Sequence, residues 1–239
     1  LESTGWTILR PNSEWELCFK CGKSCPNHLP AHVHSDLLTF DLFKNGVPII
    51  AEVGTSTYNK SIERMYERSS SAHNVFQLGL IDLNSTYKEV RWIEPVEVWG
   101  VFRAGRKANV IKKDFGINKD GYLWIKGSHD GYKYIDSSLE SEIKISIDKN
   151  NKLHMIFSDA VITRRELAWR KFIHLGPNQN EYMLKTLGNS YNKQYESNFK
   201  IQNDWYSNGF GKTIPTKSIC ITGYIKPGTY KFKSQISLN

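Results

Sequence analysis

The sequence predicts an all-β chain, a large antiparallel β-sandwich of two sheets with at most one short helix. Three observations predict it. Short runs of alternating apolar and polar residues recur along nearly the whole chain, as half-buried strands require. Turn signals separate these runs at intervals of about eight to twelve residues, the spacing of sandwiches and barrels. Aromatic residues make up 13% of the chain, with seven Trp and twelve Tyr, a load that suits strands.

Taken in order, residues 6–10 and 15–20 are the first strand candidates. Residues 37–43 and 47–53 follow, joined by Lys44-Asn45-Gly46, a strong hairpin turn. Residues 75–80, 96–102, 107–112 and 122–125 continue the series. Residues 142–148 carry Ile143, Ile145 and Ile147 on one face, and Lys149-Asn150-Asn151-Lys152 turns them into a hairpin partner at 153–157. Residues 169–175, 181–186, 218–225 and 229–234 are the last strand candidates. The one helix expected is short, around residues 61–69. Residues 189–203 are polar and read as a long loop.

At 239 residues the chain is large enough to bury a full core as one domain spanning 1–239. It holds no repeat, low-complexity tract or linker. No apolar run approaches the roughly 18–20 residues of a membrane span, so no membrane partner is expected. No secretory signal is visible. The first residues, Leu1-Glu2-Ser3, do not include Met, so the chain reads as a mature or excised piece of something longer. The net charge of +8 attracts polyanions, either nucleic acid or acidic polysaccharide. No zinc-finger or RNP-type pattern accompanies it, and a nucleic-acid partner is not expected. Cys18, Cys21, Cys25 and Cys220 lack a second ligand pair and read as free or partly buried thiols rather than a zinc site, with a disulfide as the alternative, so cysteine usage leaves the compartment open.

The chemistry concentrates in the first third of the chain. His32-Val33-His34-Ser35-Asp36 is followed by Glu52 and then His73-Asn74. Imidazole and carboxylate together bind zinc and related metals, and exchange protons near neutral pH. If the first segment is extended, His32, His34 and Asp36 share one face, and the hairpin brings Glu52 beside them. Asp36 serves equally as a turn cap or as support for a histidine. His154 and His174 read as ordinary surface or core histidines. A cupin places its acid a few residues after the His pair, whereas Glu52 lies eighteen residues beyond His34. His34-Ser35-Asp36 with His73 matches a non-haem iron triad on paper, which keeps an oxygenase as a minor alternative.

These residues resemble the C-terminal β-sandwich domain of heparinase II/III-like polysaccharide lyases. The resemblance runs through Ala31-His32-Val33-His34-Ser35-Asp36, Asn45-Gly46, Ile49-Ile50-Ala51-Glu52-Val53-Gly54, Arg64-Met65-Tyr66-Glu67-Arg68-Ser69 and Ala72-His73-Asn74. Ser128-His129-Asp130-Gly131-Tyr132 and Phe172-Ile173-His174-Leu175-Gly176-Pro177 extend it. Two positions depart: Glu52 stands where the family has Asp, and Ala31 where it has Gly.

The resemblance implies a super-sandwich fold and β-elimination on an acidic, uronate-containing glycan. It implies His34, Glu52 and His73 as ligands of a divalent metal, with zinc placed before calcium or manganese. It implies His32, with Tyr58 and Tyr66, as catalytic, and Arg64, Arg68, Asn74 and His129 as substrate-binding. It also implies an N-terminal α/α toroid as the other wall of the cleft, absent from this chain, and a bacterial, periplasmic or secreted enzyme. The alternative is a sandwich that binds acidic glycan without cleaving it.

Overall fold

The Asn45-Gly46 turn shows how local sequence builds this molecule. Asn45 and Gly46 have φ of 49° and 75°, the left-handed pair that a tight hairpin needs. They join strands β3 (Phe40–Lys44) and β4 (Val47–Ile50), which extend a sheet begun by β1 (Trp6–Leu9) and β2 (Trp15–Lys20). This computed structural model describes residues 4–26, 28–82, 84 and 89–239. The opening Leu1-Glu2-Ser3 lies outside the described residues.

Two five-stranded sheets complete the sandwich. One has the order β16 (Gly228–Leu238), β12 (Leu153–Thr163), β11 (Ser137–Ile147), β10 (Leu123–His129), β9 (Val110–Ile117). The other has the order β14 (Ser197–Gly209), β15 (Lys212–Ile225), β13 (Leu167–His174), β5 (Phe76–Ile81), β6 (Val90–Trp92). The ladders between these strands are antiparallel. A bridge between Ile50 and Leu175 joins the first sheet to the β13 sheet. Both face the β12 sheet: Phe40 meets Phe157 at 5.3 Å, while Phe76 and Trp169 meet Phe232 at 4.8 and 4.7 Å. One apolar core therefore runs through all three large sheets. A small hairpin, β7 (Val96–Trp99) and β8 (Arg103–Lys107), projects beside it.

The helix expected near residues 61–69 is α1 (Ile62–Arg68). Ser61 caps it, its hydroxyl accepting from the Arg64 backbone N–H at 3.2 Å. The expectation of at most one helix is corrected by α2 (Tyr182–Gln194). It occupies residues read as a strand at 181–186 and the start of the supposed loop at 189–203. Leu184, Leu187 and Tyr191 fall three and four residues apart and are buried. Most of the remaining helix residues are polar, which hides the period. Gly188 lies over the Phe199 ring, where a Cβ would approach to 2.6 Å, so a side chain there would push the helix off its sheet. The rest of the supposed loop is β14, a polar edge strand that β15 pairs along most of its length. The strand read at 107–112 straddles a break between β8 and β9. Among the described residues no helix is long and apolar enough to cross a membrane.

Candidate active site

Helix α1 organises the site. Its residues Arg64, Glu67 and Arg68 lie on one face and are fully buried, whereas Ile62 and Met65 face outward. Arg68 uses its guanidinium on four backbone carbonyls. Nε donates to Val33 O at 3.0 Å, Nη1 to Gly100 O at 2.5 Å, and Nη2 to Pro30 O at 3.3 Å and Arg103 O at 3.0 Å. Pro30 and Val33 flank the segment that carries His32, and Gly100 and Arg103 belong to the β7–β8 hairpin. Arg68 thus ties that segment, the helix and the hairpin together. The substrate-binding role expected of it is corrected, because its named hydrogen bonds all go to backbone carbonyls and no part of it reaches solvent.

Extended backbone from His32 to Asp36 was expected to put three side chains on one face. Pro30–His32 instead form a 3₁₀ turn, so the alternation rule fails at His32. His32 points outward and its Nδ1 meets the Tyr58 hydroxyl at 2.8 Å, with the rings edge to face. The Arg64 guanidinium lies over the Tyr58 ring, 4.6 Å from its centre. Phe210 packs on Tyr58 at 4.9 Å. His32 and Tyr58 therefore form a pair at the surface, with the buried Arg64 guanidinium beneath the Tyr58 ring.

His34 turns inward to His73, with ring centres 5.4 Å apart. Glu52 Oε2 lies 2.9 Å from His73 Nδ1. Arg64 Nη1 lies 3.2 Å from His34 Nε2, which accepts from it. The His34 pKa falls to about 3, chiefly through burial and then through the neighbouring His73, so its imidazole is neutral. Burial is the largest influence on His73 and pulls its pKa down, yet Glu52 raises it above the ordinary value. Asp36 is paired with Lys20. That pairing overcomes burial and holds the Asp36 carboxyl below its usual range. Asp41 receives the Glu52 backbone N–H at 2.9 Å, and burial together with Glu52 raises it to about 8.

His34, Glu52 and His73 are thus adjacent. Among the described residues, however, no three His, Cys, Asp or Glu side chains already surround a common point as around a metal ion. The donor chemistry nevertheless fits a divalent cation. Glu52 Oε1, Asp36 Oδ1 and His73 Nε2 are buried without a hydrogen-bond partner, which costs free energy that a cation or an ordered water would relieve. His34 is neutral, the form that ligates.

Three further expectations are corrected. Tyr66 does not join His32: its hydroxyl donates to Asp204 Oδ2 at 2.8 Å, inside a buried network that includes His174. Burial and Asp204 push the Tyr66 pKa upward. Asn74 is fully buried; its amide donates to Phe40 O at 2.8 Å and its Oδ1 accepts from the His174 backbone N–H at 2.7 Å. His129 is buried on β10, accepting from Gly131 N–H at 3.1 Å and packing on Tyr132. Asn74 and His129 therefore serve packing rather than substrate.

His129 supplies a pH-dependence. Burial, the largest influence, lowers its pKa from 6.5 to about 4, so the native state favours the neutral ring. Stability is then full above the unfolded value and declines as pH falls from 6.5 through 4. The expected loss is on the order of 3 kcal/mol. Urea titrations at several pH values should show this decline, and His129→Gln should flatten it.

Several site residues carried no sequence signal. Lys20, Asp41 and Asp204 sit on strands whose pairing is long-range. Phe102 and Phe210 come from loops distant in sequence. His174 and His154 are as expected, a satisfied core histidine and a surface one.

The comparisons with known proteins bear directly on this arrangement. The profile of the family described as "Heparinase II/III-like, C-terminal" matches residues 1–235. The chain belongs to that family, so the class is the C-terminal sandwich of heparinase II/III-like proteins. Solved relatives share the fold at low identity. The heparan sulfate lyase HepC from Pedobacter heparinus aligns with a TM-score of 0.67 at 14% identity, covering 99% of this chain and 35% of that one. The heparinase III BT4657 gene product aligns at 0.62 and 12%, covering 100% of this chain and 35% of that one. The chain thus spans about a third of the length of these lyases. No curated protein matches it by sequence.

Proposed function

We propose that the chain is the cation-holding wall of a lyase that cleaves an acidic, uronate-containing polysaccharide by β-elimination. The contact between His32 Nδ1 and the Tyr58 hydroxyl carries this reading. It couples two proton-transfer groups at the surface, with His32 two residues before His34 of the buried His34–His73–Glu52 cluster. Family membership supports the same reading.

In the elimination the C5–H bond breaks, a C4=C5 double bond forms, and the C4–O4 bond breaks. In this reading His32 and Tyr58 take the C5 proton and return one to O4. Arg64 adds positive charge beside them, where negative charge builds on the uronate carboxylate. A divalent cation, zinc before calcium or manganese, would be held by His34, Glu52 and His73. When bound it would supply fixed positive charge that ties the three segments carrying these residues together. Arg64, which contacts both His34 and Tyr58, is the residue through which the buried cluster positions the surface pair. A toroid domain of the kind found in the family would supply the facing wall, and a secreted or periplasmic setting follows from such a substrate.

The full-length protein carrying this chain is expected to release unsaturated oligosaccharides from one or more acidic polysaccharides, read by their ultraviolet absorbance. Elemental analysis of the same preparation should find a divalent metal, which Glu52→Gln and His73→Ala lose. Binding without any unsaturated product would replace the lyase reading with a glycan-binding one. Iron with oxygen consumption would favour an oxygenase.

A further inference from the structure

The β7–β8 hairpin carries a feature that the proton-transfer pair does not use. Trp99 is 57% exposed and Phe102 48%. The Trp99 ring packs against Gly105, where a Cβ would come within 2.4 Å of the ring. The indole is thus backed by the Gly105 backbone, an approach that only glycine permits. These residues line a cleft of about 780 Å³ with Lys60, Arg103, Ile62 and Met65. The turn is rigidly placed, because Arg68 holds both Gly100 O and Arg103 O.

The cleft is continuous with the surface pair. Phe102 stacks on Tyr58 at 6.4 Å, and Tyr58 holds His32. Charge points the same way. Glu97, the acid on this hairpin, is paired with Arg106 at 3.4 Å, so Lys60 and Arg103 are the charged groups lining the cleft. A supported aromatic ring with flanking cations suits a sugar ring that bears carboxylate or sulfate.

We propose that Trp99 and Phe102 form a stacking subsite for a sugar ring of the acidic glycan, next to the ring that reacts at His32. Arg103 and Lys60 recognise that ring's anionic group. This assignment rests on the acidic-glycan reading above.

The test is a calorimetric titration of the 239-residue chain with a heparin-derived hexasaccharide, with cellohexaose as the neutral control. Trp99→Ala is expected to weaken binding of the anionic hexasaccharide about tenfold, and Trp99→Tyr to keep most of it. Arg103→Gln should weaken binding and reduce its salt dependence. Melting curves check that each variant folds, and Phe102→Ala is a second, independent probe. If the unaltered chain binds the hexasaccharide and Trp99→Ala binds it equally well, the subsite is wrong while the acidic-glycan reading stands. If the unaltered chain binds no anionic glycan, that reading falls and takes the subsite with it. If Trp99→Ala abolishes self-association and leaves glycan binding intact, the turn is a protein interface and the proposal is overturned.

Discussion

Replacing His32 by Ala in the full-length protein is expected to lower the rate of unsaturated-product formation by about 10²–10⁴-fold, the usual contribution of a positioned acid or base. The melting temperature should hardly change. His32 is exposed, on a short turn, and its side-chain contacts are with Tyr58. A large activity loss without a stability loss separates chemistry from scaffolding. Tyr58→Phe should give a loss of similar direction, because it removes the hydroxyl and leaves the ring packed on Phe210. The double variant should be little worse than either single one if the two act as a unit. Full activity in His32→Ala would remove the assignment.

Arg68→Ala is expected to give the largest stability loss of any single change in this region. Four backbone carbonyls lose their donor at once. A buried acceptor left unpaired costs about 1–3 kcal/mol, and some of the four will find water in the space the side chain leaves. The net loss should be on the order of 3–5 kcal/mol, or roughly 10 °C in melting temperature for a chain of this size. Arg68→Lys should recover little, since an ammonium cannot reach four carbonyls in the plane of a fork. Differential scanning calorimetry checks the order. A shift below about 1 kcal/mol would show that the four contacts are not all maintained in solution.

These two expectations concern neighbours in the same motif region that the sequence treats alike. His32 and His34 are two residues apart, yet one meets Tyr58 at the surface and the other meets His73 inside. A three-residue 3₁₀ turn makes that difference, and Pro30 at its start is the only local sign of it. Arg64 and Arg68 are one helical turn apart on α1 and both are buried. Arg64 ends against Tyr58 and His34, while Arg68 ends among carbonyls. Tyr58 and Tyr66 were equal candidates by sequence. Asp204, some 138 residues from Tyr66, turns the latter away from the site.

The sequence by itself determined the strand-rich sandwich, the Asn45-Gly46 hairpin, the short helix and the set of residues gathered from the first third. The strands and the hairpin rest on local physics: side-chain alternation and left-handed turn residues. Only the tertiary structure decided the second helix, because its three buried residues gain their stability from a core built elsewhere. It alone also divided the motif into surface pair, buried cluster and structural clamp. That division depends on which carbonyls, carboxylates and rings meet across sheets, and long-range pairing leaves no periodic trace in the chain.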